Sequence, residues 1–448
     1  KFGHLCMCCV SIPLNEPANV NSNLTVSSVK STLTVMTILT QPHLPADPTD
    51  ASAWLAYGRA WATAYGSPPG TPRAARTHSA PAKHFSHKAI PELTLTMHAY
   101  REATPGPRWQ ALARATWPAY ARWFRARPAS DQPTYAECRD ALRRHLPALL
   151  PTWEHLTELA VAATGTTHED AGRLLSLWRP TPFVTGCSQV ALTDPEPVLL
   201  RSYDYDPALF EGVVASTNYS GTRRVMGTSD CLWGLLDGIN EDGLAVSLTF
   251  GGRPGSGVGF GIPLVLRALL EECGDVAEAV ARVRTLPVAQ AYNLTFVDAA
   301  GTVATVFVAP GEEVITSRQR VATNHRLDVV EYPADAARLR SRERHDLLTR
   351  LVNEGATRRE VVGAFLREPV RSSLFSAGFG SLFMAEFLPK EGSVTYRWPG
   401  QTWTRRFEDP DASITVEVPS AEVPSGCRGP RPGNGSSRHR SAGRNGRT

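Results

Sequence analysis

The apolar period of this chain changes near Phe183, and that change limits what the chain can build. From Ser52 to about Pro180, apolar residues recur three and four apart, as in "RWQALARATWPAYARWFRARP" and "YAECRDALRRHLPALLPTWEHLTELAVAATG". Such spacing predicts helices. A Pro/Gly/His-rich stretch, "GSPPGTPRAARTHSAPAKHFSHK", parts these from an earlier helical segment, "SAWLAYGRAWATAYG", as breaker residues do. Trp109, Trp117 and Trp123 fall among Ala and Arg and read as a core stripe. After Phe183 come short β-rich segments between turn residues: "CSQVAL", "PVLLRSYDYD", "GVVAST" and the hairpin "DCLWGLLDGINEDGLAVSLTFGG".

The rest of the chain keeps alternating. A helix is expected over "PLVLRALLEECGDVAEAVARVR", broken at Gly274. The strands "AYNLTFVDAAG", "TVATVFVAPG" and "RQRVATNHR" follow, then a helix over "ADAARLRSRERHDLLTRLVNEG" and final β material in "GSLFMAEFLPKEGSVTYRWPG". Hairpins alternating with helix pairs predict an α+β class, with two sheets covered by helices.

Composition narrows the function classes. A net charge of +4, with part of the excess in the Arg-rich C-terminal end, gives no basis for nucleic-acid binding by the core. No stretch reaches the roughly 18 to 20 apolar residues of a membrane span, and the start lacks the pattern of a secretory signal. The 8 cysteines form no disulfide framework, so a cytoplasmic location is expected. "CMCC" at the start has no second ligand group at metal-binding spacing, so neither a metal nor a cofactor is expected. Both ends read as extensions. Met36 is a plausible start after a Ser/Thr/Asn-rich leader, and the Gly/Ser/Arg-rich tail has too little apolar surface to offset its ordering entropy.

Chemistry concentrates around "FVTGCSQVAL". Cys187 taken alone reads as a small buried hydrophobe. Gly186 before it permits a strained peptide bond, which the adjacent thiol could attack. Cleavage there would give Cys187 a free α-amine titrating near 8, so nucleophile and base would share one residue. Arg201 and Asp204 in "RSYDYDP" have R-x-x-D spacing, read either as a surface ion pair or as groups that hold the amine and poise the thiolate. Asn324 in "TNHR" offers an amide to a developing oxyanion. His325 beside it offers a Cys–His dyad instead, although a lone His at a strand end is more often structural.

"TGCSQ", "RSYDYD", "LDGINEDGLAVSLTFGG", "YNLTFVDAAG" and "ATNHR" occur in the order seen in N-terminal nucleophile hydrolases. Over roughly 146–403 the chain resembles the acyl-CoA:6-aminopenicillanate acyltransferase family, and more distantly the choloylglycine hydrolases and acid ceramidase-type amidases. The resemblance implies a four-layer αββα sandwich and self-cleavage between Gly186 and Cys187 into two associated subunits. It implies Cys187 as nucleophile, Arg201 and Asp204 flanking it, and Asn324 in the oxyanion hole. Thr249 stands where that family's relatives have Asn, leaving the second oxyanion donor open between Thr249 and a backbone amide. Arg344 in "SRER" resembles an S-x-x-R arginine that binds a substrate carboxylate or supports the sheet. The chain then divides into an extension (1–51), a helical region (52–186), a catalytic core (187–420) and a basic tail (421–448).

The function expected on these grounds is an autoproteolytic cysteine amidohydrolase or acyltransferase acting on a small acyl amide or acyl-CoA thioester. Whether the subunits assemble further into a homo-oligomer is left open. An unprocessed Cys187–His325 thiol peptidase and a non-catalytic binding relative are the alternatives. The long segment before Cys187 favours the acyltransferase-like branch. The Gly-rich "FGGRPGSGVGFGIP" lacks the Lys-Ser/Thr ending of a phosphate loop and reads as a pocket wall.

Overall fold

The structure, a computed structural model, describes residues 93–126, 129–182, 185–253, 256–326, 339–373, 375 and 379–418. The expected extension over 1–51, the helical segment before 93, "CMCC" and the tail over 421–448 lie outside the described residues. In chain order the elements are β1 (Leu93–Arg101), α1 (Pro107–Arg125), α2 (Tyr135–His145), α3 (Leu150–Thr164), α4 (His168–Leu175), β2 (Gly186–Leu192), β3 (Val198–Tyr205), β4 (Val213–Thr217), β5 (Val225–Asp230), β6 (Gly234–Asn240) and β7 (Ala245–Phe250). There follow α5 (Ile262–Glu272), α6 (Val276–Val283), β8 (Tyr292–Val297), β9 (Val303–Val308), β10 (Ile315–Ser317), β11 (Val321–Ala322), α7 (Ser341–Asn353), α8 (Arg358–Phe365), β12 (Gly380–Leu388), β13 (Ser393–Trp398), β14 (Gln401–Arg406) and β15 (Ala412–Val418).

The strands form two sheets. One has nine strands in the order β10-β9-β8-β7-β6-β5-β4-β1-β15, the other six in the order β11-β2-β3-β12-β13-β14. Strands β2 and β3 pack across β7 and β8, which stacks the sheets face to face. Helix α5 covers β6 on one outer face, while α7 covers β2 and β11 and α8 covers β3 on the other. This is the expected αββα arrangement. Strands between two covered faces carry near-continuous apolar runs, and every residue of β2, β6, β7, β8 and β12 is buried. At the β14 and β15 margin exposure alternates instead, as period-2 side chains on a half-covered sheet must.

The helices start where the chain supplies capping groups. The Thr134 hydroxyl accepts the Glu137 N–H and Glu137 returns the bond to the Thr134 N–H, a reciprocal cap that opens α2. The same exchange between Thr357 and Glu360 opens α8. Gly165, at φ +71°, ends α3 in the left-handed conformation glycine tolerates. Trp109, Trp117 and Trp123 are buried, as the core-stripe reading requires.

Three expectations are corrected. The region over 52–186 is not helical throughout: Leu93–Arg101 is a strand, parallel to β4 and antiparallel to β15. Its "LTLTM" alternation is the strand period, here set against two partners far along the chain. The long apolar run after Tyr135 is two helices, because Pro147 cannot donate a helical N–H and a 3-10 turn replaces the joint. The last β material is not "GSVTYRW": β14 and β15 follow it, and β15 closes the nine-stranded sheet beside β1.

Candidate active site

Strand β2 begins at Gly186 and pairs antiparallel with β3, setting Gly186 against Asp204, Cys187 against Tyr203 and Gln189 against Arg201. Successive side chains of a strand point to opposite faces. Cys187, Gln189, Arg201 and Tyr203 therefore face the nine-stranded sheet, and Gly186, Ser188 and Asp204 face α7. Gly186 lies in extended strand, not in a strained turn. Its requirement is close contact: a Cβ there would stand 2.5 Å from Phe379 Cζ and 3.0 Å from Asp204 Cβ.

On the inner face, Cys187 Sγ receives Arg201 Nη2 at 3.4 Å and lies 3.8 Å from Thr185 Oγ1. Arg201 is fully buried. Its Nη1 pairs with Asp237 of β6, its Nε donates to the Leu248 carbonyl at 3.3 Å, and its guanidinium lies 4.8 Å from the centre of the Tyr203 ring. Burial pushes the Cys187 thiol up; Arg201 and Thr185 pull it down, and Asp204 adds to the rise. The net shift is upward, so the thiol is protonated at neutral pH. Among the described residues, no imidazole or carboxylate is hydrogen-bonded to Sγ.

On the outer face the centre is Arg344, in the first turn of α7. Its Nη1 donates to the Cys187 carbonyl at 3.1 Å, to Ser188 Oγ at 2.9 Å and to Asp204 Oδ2 at 2.9 Å. Nη2 donates to Asn324 Oδ1 at 2.7 Å. Ser381 donates to the other Asp204 oxygen at 2.5 Å. Burial pushes the Asp204 carboxyl above its ordinary range, with Arg344 and Ser381 opposing it.

Asn324 follows the short β11 and joins the two faces. Its Oδ1 accepts the Cys187 N–H at 2.9 Å. Its Nδ2 donates weakly to the Thr185 and Phe250 carbonyls, at 3.4 and 3.3 Å, beyond the usual length for such bonds. Asn293 Nδ2 holds the Thr323 and His325 carbonyls at 2.7 and 3.0 Å, fixing the turn that presents Asn324.

The structure thus brings Gly186, Cys187, Arg201, Asp204, Asn324 and Arg344 together, but with different pairings from those the spacing suggested. Arg201 and Asp204 do not pair. Three residues apart on one strand, they point to opposite faces, and each takes a partner from another element: Asp237 and Arg344. Thr249 donates its one hydroxyl proton to the Thr323 carbonyl at 2.8 Å, so it braces the Asn324 turn. His325 Nδ1 lies 3.1 Å from Thr323 Oγ1 and 2.7 Å from Ser341 Oγ, with the His345 ring at 5.2 Å. Its contacts are structural, with no hydrogen bond to Cys187. Asp237, Gln189, Asn293 and Ser381 were not singled out from sequence; only cross-strand register would have found them. The four described cysteines, Cys138, Cys187, Cys231 and Cys273, are free and buried.

Burial, reinforced by His345, lowers His325 to about 4. An unfolded imidazole titrates near 6.5, so as pH falls the unfolded chain takes up a proton that the folded chain refuses. Stability present above pH ~6.5 is lost progressively toward pH ~4. Relative to pH 8, His325 is expected to cost about 2 kcal/mol at pH 5. Urea midpoints at the two pH values should therefore differ less in His325→Asn than in the wild type. An equal difference would show that His325 is not the group responsible.

A cavity of about 490 Å³ lies between α2 and the Gly-rich loop, lined by Glu137, Arg144, His145, Trp178 and Val258 among others; Cys187 does not line it. No helix among the described residues is long and apolar enough to cross a membrane.

Residues 192–403 match the model of the family described as acyl-coenzyme A:6-aminopenicillanic acid acyl-transferase, so the resemblance drawn from the ordered motifs holds over that segment. The comparison with curated proteins finds no match. Solved structures similar to this chain include a conjugated bile acid hydrolase from Clostridium perfringens at 12% identity, covering 52% of this chain and 98% of that one, with a TM-score of 0.35. Another is the Caenorhabditis elegans ortholog of N-acylethanolamine-hydrolyzing acid amidase, at 16% identity, 46% and 93% coverage and a TM-score of 0.35. A third is penicillin V acylase from Agrobacterium tumefaciens, at 14% identity, 52% and 91% coverage and a TM-score of 0.34.

Proposed function

We propose that this chain, matching the acyltransferase family over 192–403, is a self-activating cysteine amidohydrolase or acyltransferase. Its substrate would be a small acyl amide or an acyl-CoA thioester. One observation carries the reading. Cys187 Sγ is buried beside a cation, with its own backbone N–H held by Asn324 Oδ1, yet it has no base. A protonated thiol without a base is a poor nucleophile. Freeing the Cys187 nitrogen supplies the missing group, in the place where Asn324 already holds it.

In the first reaction Sγ attacks the Gly186 carbonyl carbon. The C–S bond forms as the C–N bond breaks, and the thiol proton passes to the departing nitrogen. Water then cleaves the thioester, leaving a Gly186 carboxylate and a free Cys187 with its α-amine. The two chains stay associated through the sheets. In the second reaction the α-amine takes the thiol proton and Sγ attacks the substrate acyl carbon. Once Thr185 leaves, Asn324 Nδ2 loses one of its two weak acceptors and can donate to the oxyanion. Arg201 stabilises the thiolate, and Arg344 fixes the Cys187 carbonyl, Asp204 and Asn324 relative to one another. Water or an amine accepts the acyl group.

Intact-mass measurement of the purified protein tests the reading: two chains are expected, the second beginning at Cys187. A single uncut chain with full amidase activity would refute it. Asn324→Ala should lower kcat of any surviving cut protein by roughly 10²–10³-fold, the usual cost of one oxyanion donor, and should slow the cut itself. A variant with unchanged kcat and complete processing would remove Asn324 from the mechanism.

A further inference from the structure

A second group of buried polar residues lies at the Cys187 end of the sheets. Asp230 ends β5, Glu211 precedes β4, and the hairpin Cys231–Trp233 joins β5 to β6. Tyr203 and Tyr292 each lie within electrostatic reach of both Cys187 and Asp230. Glu211 Oε1 accepts the Tyr120 hydroxyl and, at 2.8 Å, the Leu232 N–H. The same hydroxyl lies 3.3 Å from Asp230 Oδ1 and accepts the Cys231 N–H at 3.0 Å.

Two features set this cluster apart from a self-contained network. Cys231 and Leu232 take φ of +55° and +72°, a left-handed conformation that bulky residues adopt only where the surroundings enforce it. That strained turn directs both N–H groups onto the cluster. Glu211 is 2% exposed, yet its Oε2 has no hydrogen-bond partner of ordinary geometry among the described residues, with Ser229 the hydroxyl beside it. Leaving a buried carboxyl oxygen without a donor is unfavourable, and a donor that reaches it relieves that cost. Asp230, at the end of β5, is partly exposed as a residue, while its carboxyl lies buried against Glu211.

We propose that Glu211 and Asp230, bridged by Tyr120, bind a primary ammonium group of the substrate, with Glu211 Oε2 as its principal acceptor. The proposal rests on Cys187 being the acyl-transfer nucleophile and names the chemistry its substrate must carry. Burial pushes both carboxyls up, and for Asp230 the nearby Glu211 adds to burial to bring it to about 7. A cation between them would draw both back toward ionisation. A metal ion is the poorer occupant, because no three His, Cys, Asp or Glu side chains among the described residues converge in metal-binding geometry.

The test compares n-butylammonium with 1-butanol, a neutral molecule of the same size, binding to the wild-type full chain by calorimetry. No acyl donor is present, so the result does not depend on Cys187 acting as a nucleophile, and either reading can fail alone. The ammonium should bind at least tenfold more tightly than the alcohol. Glu211→Gln and Asp230→Asn, each checked by circular dichroism, should abolish that preference. Equal binding by the wild type, or a preference kept in both variants, would overturn the proposal. Adding an acyl donor then separates two sources of the amine. Formation of the N-butyl amide marks the site as holding the acceptor: the ammonium gives one proton to a carboxylate of the pair, the freed amine nitrogen bonds to the acyl carbon as the C–S bond breaks, and its second proton goes to the Cys187 thiolate. Competitive inhibition without amide marks it as holding an ammonium on the acyl donor.

Discussion

Cys187→Ala is expected to remain one uncut chain and to lose acyl transfer by roughly 10⁴-fold or more. Both losses follow from one atom. In the mechanism proposed above, Sγ is the attacking group in the self-cleavage and in the turnover, and its neighbours Arg201 and Thr185 cannot replace it. Folding should survive, because alanine fills part of a site buried beneath two sheets and removes only a sulfur. The hydrogen bond from the residue-187 N–H to Asn324 Oδ1 is a backbone contact and stays. Cys187→Ser separates the two reactions. A hydroxyl near Arg201 gains little from the cation, because its pKa lies far above neutrality. Slow cutting with low turnover is therefore expected. Intact mass over time gives the first rate, and release of an acyl group from an amide gives the second. Complete cutting in Cys187→Ala would mean that another group, or a contaminating protease, opens the chain.

The layer order was legible in the sequence because it rests on local period. Runs such as "AVSLTF" and "YNLTFV" read as strands buried on both faces, and "VAEAVARV" reads as a helix, whatever surrounds them. That Cys187, Asn324 and Arg344 lie together was also legible, since each belongs to a short motif on which the resemblance rests. What could not be read was pairing. Arg201 and Asp237 are 36 positions apart and meet only because two sheets stack. Asp204 and Arg344 are 140 apart and meet because α7 crosses the outer face of β2. The R-x-x-D spacing suggested a pair that strand alternation forbids. Strand β1 was missed for a related reason: its alternation is short, and the partner β15 that makes it a strand begins more than 300 residues later. The Glu211–Asp230 cluster had no motif at all. It is assembled by a loop, a strand end and a tyrosine on α1.

Arg344→Leu is expected to be the most destabilising single change at the site, by about 3–5 kcal/mol, the range for removing one partner of a buried ion pair. The guanidinium serves four acceptors at once: the Cys187 carbonyl, Ser188 Oγ, Asp204 Oδ2 and Asn324 Oδ1. Leucine leaves Asp204 buried with Ser381 as its remaining donor. Much of the loss is therefore the cost of an uncompensated charge, and Asp204→Asn in the same chain should recover part of it. The double variant should be more stable than Arg344→Leu alone, while each remains below the wild type. Arg344→Lys retains the charge, but a single ammonium cannot reach across both Nη positions, so an intermediate stability and slow processing are expected. Urea midpoints of the four proteins give the coupling energy, and intact mass gives the extent of cutting. A loss under about 1 kcal/mol in Arg344→Leu, with normal cutting, would mean that the sheets hold Cys187, Asp204 and Asn324 in register without the arginine. A double variant no better than the single would place the loss in packing rather than in the stranded carboxylate.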